Sequence, residues 1–312
     1  MSAQRLTTVT PVQPRVRTWS RGTASALLVA IRPRQWSKNL LLFAGVMFSL
    51  NLGSAPLLMR ACLAFAVFCF LSSAVYLFND VIDADQDRRH PHKRSRPVAS
   101  GRLSPTLALA TAGVMSTVGI TGAILLGGRF AGIAIGYFVL MNLYSAFLKR
   151  VAPLDVLVIA VGFVLRAVAG AVVVDVAISQ WLVVCTTFLA LFVALCKRRH
   201  ELTALGADAT AHRQSLTSYS PALLDQFIIL AATSAVMSYT LYTLSPRTVA
   251  EFGHANLVYT VPLVVFGIFR YLYLVHLQNG GGNPEVLLFG DPPLLVSIVS
   301  WAVMAAALIY WI

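Results

Sequence analysis

The chain has 312 residues and a formal net charge of +12, with 58% of its residues hydrophobic and only 12% charged. A soluble domain has roughly a quarter of its residues charged, whereas the apolar residues here fall in runs of about 20, the length a helix needs to cross a hydrocarbon core of roughly 30 Å. This excludes a soluble nucleic-acid-binding protein, whose basic residues would not sit between hydrophobic runs, and a β-barrel, whose strands alternate and are about half as long.

Residues 1–22 are expected to form a disordered tail. Ala24 to Ile31 is a short apolar stretch preceded by arginines, as in a signal peptide. It runs directly into Arg32-Pro33-Arg34 with no small-residue cleavage site, and is read as a short amphipathic or interfacial helix. The remainder predicts nine transmembrane helices, over about 37–55, 61–81, 105–126, 129–148, 154–174, 179–197, 221–243, 257–277 and 292–311. Pro56, Pro105, Pro153, Pro221 and Pro292 fall near their ends, where proline is best tolerated. The fold class expected is an all-α integral membrane protein, one domain over 23–312, with no internal repeat. Cys62, Cys69, Cys185 and Cys196 lie in or at the end of apolar runs without CxxC spacing and read as packing residues.

Placing the N-terminus in the cytoplasm puts 19 of the 24 Lys and Arg in or beside inner segments 1–36, 82–104, 149–153, 198–220 and 278–291. Only Arg60, Arg129 and Arg247 fall outside, and Arg166 and Arg270 lie within spans. The positive-inside rule favours this orientation. Segments 82–104 and 198–220 are long for transmembrane connections and are expected to form a cytoplasmic cap.

The second span leaves the membrane through Asn79-Asp80-Val81-Ile82-Asp83-Ala84-Asp85-Gln86-Asp87. On a helix Asp80, Asp83 and Asp87 share one face, with Asn79 at its edge and Asp85 elsewhere. Three like charges on one face repel unless a cation joins them, and carboxylate and amide oxygens are hard ligands suited to Mg²⁺. Arg88-Arg89-His90-Pro91-His92-Lys93-Arg94-Ser95-Arg96-Pro97 follows at once. Acids that hold a metal beside cations that hold phosphate make a phosphate-binding site. His90, His92 and His200 lack zinc-site spacing.

Asn79-Asp80-x-x-Asp83-x-x-x-Asp87, nine spans and two large inner loops resemble the UbiA-type intramembrane prenyltransferase superfamily over nearly the whole chain. That resemblance implies a helical bundle around a central cavity open to lipid. Most members of the superfamily carry a second aspartate motif at the end of the sixth span. Here the residues are Lys197-Arg198-Arg199-His200-Glu201, with Asp208 a lone acid beyond. One acidic site facing several cations suits a donor richer in phosphate than a prenyl diphosphate. Arg32-Pro33-x-Gln35-Trp36-x-Lys38-Asn39 and Asp87-Arg88-Arg89-His90-Pro91-x-Lys93-Arg94-x-Arg96-Pro97 resemble the branch that moves a phosphoribosyl group onto a lipid phosphate. The resemblance implies phosphoribosyl diphosphate as donor, a polyprenyl (decaprenyl) phosphate as acceptor, and a role in making the arabinose donor of bacterial cell-wall arabinan.

The expected roles follow. Asn79, Asp80, Asp83 and Asp87 hold Mg²⁺, and the three aspartates are catalytic in that sense. Lys93, Arg94, Arg96, Lys197 and Arg198 clamp phosphates, and Lys38 meets the lipid phosphate. Tyr144 and Lys149 end the fourth span on the inner side, where the superfamily often has a Tyr and a phosphate-reaching Lys. Asp155 and Arg166 share a face of the fifth span. Arg166 is costly within a membrane and is expected near substrate, or paired with Asp155 or Asp175. The site is expected on the cytoplasmic side of the plasma membrane. No nucleic acid is expected as partner, and a homo-oligomer is compatible with the sequence. Two rivals are a conventional prenyltransferase acting on an aromatic acceptor and a non-enzymatic transporter of an anionic solute. The crowding of ionisable residues at one face, without inverted repeats, counts against the transporter.

Overall fold

A computed structural model describes residues 22–311 apart from 51, 90–92, 206–213, 278–280 and 283. The expected tail therefore lies outside the described residues except for Gly22, as do His90, His92 and Asp208. The described residues contain helices and turns and no strand.

The chain begins with α1 (Thr23–Ala30), where the interfacial helix was expected. It is more than a surface feature, because Ala26 and Ala30 are buried against Ala74, Leu77, Val98 and Leu103. The long helices follow: α3 (Ala55–Ile82), α5 (Pro105–Leu126), α6 (Gly128–Ala146), α7 (Leu154–Val173), α8 (Gln180–Leu205), α9 (Pro221–Leu244), α11 (Val261–Leu277) and α13 (Pro292–Tyr310). Between them lie the short α2 (Ala44–Met47), α4 (Ala84–Arg89), α10 (Pro246–Phe252) and α12 (Pro284–Gly290). Local chemistry sets the starts. Ser104, Ser220, Ser245 and Asp291 cap α5, α9, α10 and α13 by accepting from the backbone N–H of Leu107, Leu223, Thr248 and Leu294, with proline in the first turn each time.

Seven helical stretches among the described residues are long and apolar enough to cross a membrane: α3, α5, α7, α8, α9, α11 with the preceding Asn256–Thr260 turn, and α13. Helix α6, with 19 residues, reaches about 28 Å at 1.5 Å per residue. The first expected span, over 37–55, is not a membrane-length helix. It is a 3-10 helix over Pro33–Phe43 followed by α2.

The reason lies in what this segment packs against. It meets α7 backbone to backbone: a Cβ on Gly170 would fall 2.1 Å from the Leu42 carbonyl oxygen, and one on Gly45 would fall 2.7 Å from that of Gly170. A 3-10 helix has three residues per turn, so side chains at i and i+3 align in straight rows. Asn39 and Leu42 form a fully buried row, continued by Trp36, whose indole N–H donates to Ser73 at 3.0 Å. Gln35 and Lys38 form the next row, while Arg34 and Leu40 face outward.

Two apolar clusters flank α7. One joins α8, α9 and α11 through Phe192, Leu224, Ile228 and Tyr271. The other joins the 33–43 segment, α3 and α6 through Leu42, Phe68, Phe130 and Tyr137. Helix α7 contacts α3, α6, α8, α2 and the 33–43 segment. The first inner loop packs onto the helices through Val98 and Leu103, which are buried. The second begins later than expected because α8 continues to Leu205, so Lys197, Arg198 and Arg199 are helical.

Gly170→Ala should lower the thermal stability of the detergent-solubilised protein by about 3 kcal/mol, through overpacking against a backbone that cannot yield. Gly113→Ala, where nothing lies within 4 Å of the added carbon, should be neutral or stabilising by up to about 1 kcal/mol. Equal effects in thermal unfolding would contradict the backbone contact.

Candidate functional site

The acidic motif sits where α3 ends. Asp83 caps α3 with φ −90° and ψ 4°. The helical path nevertheless continues into α4, since Asp83 N–H donates to Asn79 and Asp87 N–H donates to Asp83 at 2.8 Å. Asp80, Asp83 and Asp87 are thereby kept at helical spacing, and Asp80 and Asp87 are buried. Asp85 points away and pairs with Arg88 at the surface.

The acids are met by cations from three parts of the chain. Arg96 Nη1 lies 2.6 Å from Asp87 Oδ2 and 3.3 Å from Asp80 Oδ1. Arg32 donates to the same Asp80 oxygen. Lys149 Nζ lies 2.7 Å and 2.6 Å from the two Asp83 oxygens and 3.3 Å from Asn79 Oδ1. Among the described residues no three His, Cys, Asp or Glu side chains converge as a metal site. The acids are joined through Arg32, Arg96 and Lys149 instead of directly. One oxygen is left over, because Asp80 Oδ2 is buried with no hydrogen-bond partner. A buried carboxylate oxygen without a partner is costly, and together with the amide of Asn79 it makes a hard-oxygen donor set of the kind a divalent cation takes.

A second polar group faces it. Lys38, on the inward row of the 3-10 segment, pairs with Glu285 of α12 at 2.8 Å and donates to Gln35. Burial alone would raise the Glu285 carboxyl, but the Lys38 ammonium outweighs it and holds the group below its ordinary value, so Glu285 stays a carboxylate at neutral pH. Lys197 lies within electrostatic reach of Lys38, Glu201 and Glu285. The two groups connect along the 33–43 segment: the Arg32 guanidinium lies 4.8 Å over the Tyr76 ring, and the Tyr76 hydroxyl donates to Gln35 at 3.5 Å.

Arg198 has a different setting from the one its sequence context suggests. It is buried, and its Nε, Nη1 and Nη2 donate to Asp155 Oδ2 at 2.7 Å, Glu201 Oε2 at 2.6 Å and the Tyr144 hydroxyl at 3.2 Å. Asp155 also accepts from the Tyr219 hydroxyl at 2.7 Å and from Ser215 at 3.1 Å. This network ties α6, α7, α8 and the end of the second inner loop together. Arg199 likewise binds Asp225 of α9. So of the Lys197-Arg198-Arg199 run, two cations are engaged by acids of the protein itself.

Arg166 pairs with neither Asp155 nor Asp175. Asp155 is taken by Arg198, and Asp175 is 94% exposed beside Arg129. Arg166 instead binds Asn39, Tyr137 and the Gly162 carbonyl. Lys93 and Arg94 sit on a one-turn 3-10 helix, Lys93 half-buried and Arg94 exposed. Sequence reasoning passed over Arg32, Asn39 and Glu285. The first two stood inside the quoted Arg32 to Asn39 motif. Glu285 was signalled only by being an acid in an inner segment without a basic residue.

The model of the UbiA prenyltransferase family matches residues 40–291. A decaprenyl-phosphate phosphoribosyltransferase of Mycolicibacterium smegmatis is 32% identical over 93% of this chain and 94% of its own length. The protein of that name in Corynebacterium glutamicum is 33% identical over 93% of this chain and 88% of its own. Among solved structures, a UbiA homolog from Archaeoglobus fulgidus bound to DMAPP and Mg²⁺ superposes with a TM-score of 0.71 at 18% identity. That match covers 92% of this chain and all of the other, and it establishes a common fold.

The Arg198 network predicts a framework role. Asp155→Ala should destabilise by about 3 kcal/mol, because it removes the buried carboxylate that Arg198, Tyr219 and Ser215 share and leaves the guanidinium with the Glu201 carboxylate alone. Arg198→Met combined with Asp155→Leu should recover much of that loss. A thermal unfolding series in detergent reads both, and an additive double variant would contradict the pairing.

Proposed function

The chain belongs to the UbiA prenyltransferase family, and from that premise we propose that it transfers the 5-phosphoribosyl group of phosphoribosyl diphosphate to a polyprenyl phosphate, releasing diphosphate. The observation that carries this reading is the full-length relationship to proteins named decaprenyl-phosphate phosphoribosyltransferase. The composition of the site supports it. The acidic group is met by Arg32, Arg96 and Lys149, and Lys38, Lys93, Arg94 and Lys197 add cations on the same inner segments, a balance suited to a donor with both a diphosphate and a 5-phosphate. The chain is a multi-pass membrane transferase, and its product is a precursor of the arabinose donor for cell-wall arabinan. The excess of Lys and Arg on one side supports a cytoplasmic site and N-terminus.

Asn79, Asp80, Asp83 and Asp87 would hold Mg²⁺, which supplies charge neutralisation for the leaving diphosphate. The protein's own groups do the rest. Arg96 and Lys149, already on the acid motif, stand next to the position of that diphosphate and can turn to its oxygens. Lys93, Arg94 and Lys197 line the approach and orient C1 of the ribose. Lys38, at the membrane end of the 3-10 row, holds the lipid phosphate. That phosphate is ionised at neutral pH, so its oxygen attacks C1 without a general base. The C1–O bond to diphosphate breaks as the new one forms. Arg166 and Arg198 act on the framework, since both are buried as well as engaged by other side chains, and Tyr144 joins them by accepting from Arg198.

Purified protein given labelled phosphoribosyl diphosphate, polyprenyl phosphate and Mg²⁺ should move label into the organic phase. Chelation of divalent cations should abolish transfer, and Asp83→Asn should reduce it by about a hundredfold or more. Absence of transfer would overturn the reading, as would an undiminished Asp83→Asn. Transfer of a prenyl group to an aromatic acceptor under the same conditions would revive the conventional prenyltransferase reading.

A further inference from the structure

Arg166 is a buried guanidinium in the middle of a membrane helix, 5% exposed, held by an amide, a phenol and a backbone carbonyl. Its Nε donates to Asn39 Oδ1 at 2.8 Å, Nη2 to the Tyr137 hydroxyl at 2.6 Å and Nη1 to the Gly162 carbonyl at 2.9 Å. The rings of Tyr137 and Phe163 flank its charge at 4.6 Å and 5.3 Å. A charge in this position costs several kcal/mol unless it is fully satisfied, and all three of its nitrogens have partners. The pattern is that of a strut joining α7, α6 and the 33–43 segment, with no face left open to a ligand.

The end of the strut that matters is Asn39. It stands on the buried row of the 3-10 segment, and its amide also reaches Cys69 and Ser72 of α3 at 3.4 Å and 3.5 Å. Lys38 is its neighbour on the inward row, with Gln35 one turn earlier. A 3-10 helix keeps Gln35 and Lys38 in line. An α-helix, at 100° per residue, would set them about 60° apart and turn Lys38 away from Glu285. Long 3-10 runs are intrinsically weak, and this one covers 11 residues, so its register needs an external clamp. Gly45 and Gly170 let the segment approach α7, and Arg166 fixes its rotation.

We propose that Arg166 is a positioning residue: through Asn39 it holds the 3-10 register of residues 33–43 and so sets Lys38 and Gln35 against the phosphate site. This rests on the transferase reading for its kinetic consequence but not for its structural one. Two measurements separate them. Amide hydrogen exchange of residues 33–43 in detergent or nanodiscs should rise about tenfold or more in Arg166→Met and in Asn39→Ala, with α5 unchanged. This needs no catalysis, and unchanged exchange in both variants overturns the strut whatever the activity. The second is a pair of double-mutant cycles on kcat/KM. Arg166→Met should lower it by about a hundredfold and Lys38→Met by about tenfold. The double variant should fall within about threefold of Arg166→Met, because Lys38 is already misplaced. The cycle with Lys149→Met, on a different element, should be multiplicative. A general loss of stability would multiply with both, so a multiplicative Lys38 cycle overturns the positioning of Lys38. Arg166→Lys, which can keep the Asn39 contact but not the fork to Tyr137, should restore part of the activity and of the exchange protection. If Arg166→Met does not fold, Asn39→Ala carries the same cycles. If the wild type transfers nothing, the transferase reading fails while the exchange experiment still decides the strut.

Discussion

A carboxylate removed from water at the end of a membrane helix must meet a positive charge, and the rest of this structure is arranged around that demand. Asp80, Asp87 and Asp155 are buried, and each is held by an arginine from outside its own helix. Arg32 and Arg96 come to Asp80, Arg96 to Asp87, and Arg198 to Asp155. Unpaired, any one of them would cost several kcal/mol. Paired, they fix where the first inner loop folds back, how far α8 extends and where the segment before α3 lies.

The two ion-pair groups differ in what they leave available. Asp155 is saturated from within the protein by Arg198, Tyr219 and Ser215. Around the Asn79–Asp87 stretch, Asp80 keeps one oxygen without a partner, and Lys149 and Arg96 stay 16% and 24% exposed. The first group is closed and serves the frame. The second is neutralised but open, which suits a site where incoming phosphates and a metal exchange partners with the protein's own charges.

The helical class and most span limits could be read from the sequence because apolar runs and prolines are local signals. So could the acidic motif, whose spacing alone aligns its members. The first span was misread because a run of Leu and Phe looks the same whether it crosses a bilayer as an α-helix or lies against a glycine on α7 as a 3-10 helix. Gly45 and Gly170 carry that information, but only as a pair, and they are far apart in the chain. The basic run at 197–199 looked like one clamp, and separating it required knowing which acids face α8. Asp155 and Asp225 are distant in sequence, and Glu201, the near one, points back at Arg198. Arg166 read as a cation near substrate or as half of an ion pair, whereas an amide, a phenol, a carbonyl and two rings surround it.

Helix α7 carries three of the contacts described: Asp155 with Arg198, Arg166 with Asn39, and Gly170 with Leu42. They lie 11 and 4 residues apart, so at about 100° per residue they stay within roughly 60° of one another on the cylinder. The helix thus acts as a ruler for the molecule. Point substitutions along its lipid side leave the graduations in place. A single inserted or deleted residue between positions 155 and 166 would rotate one end by about 100° against the other and part the halves of the protein that it now holds in step. Sequence length between those positions, more than the identity of the residues filling it, is therefore what descent must preserve.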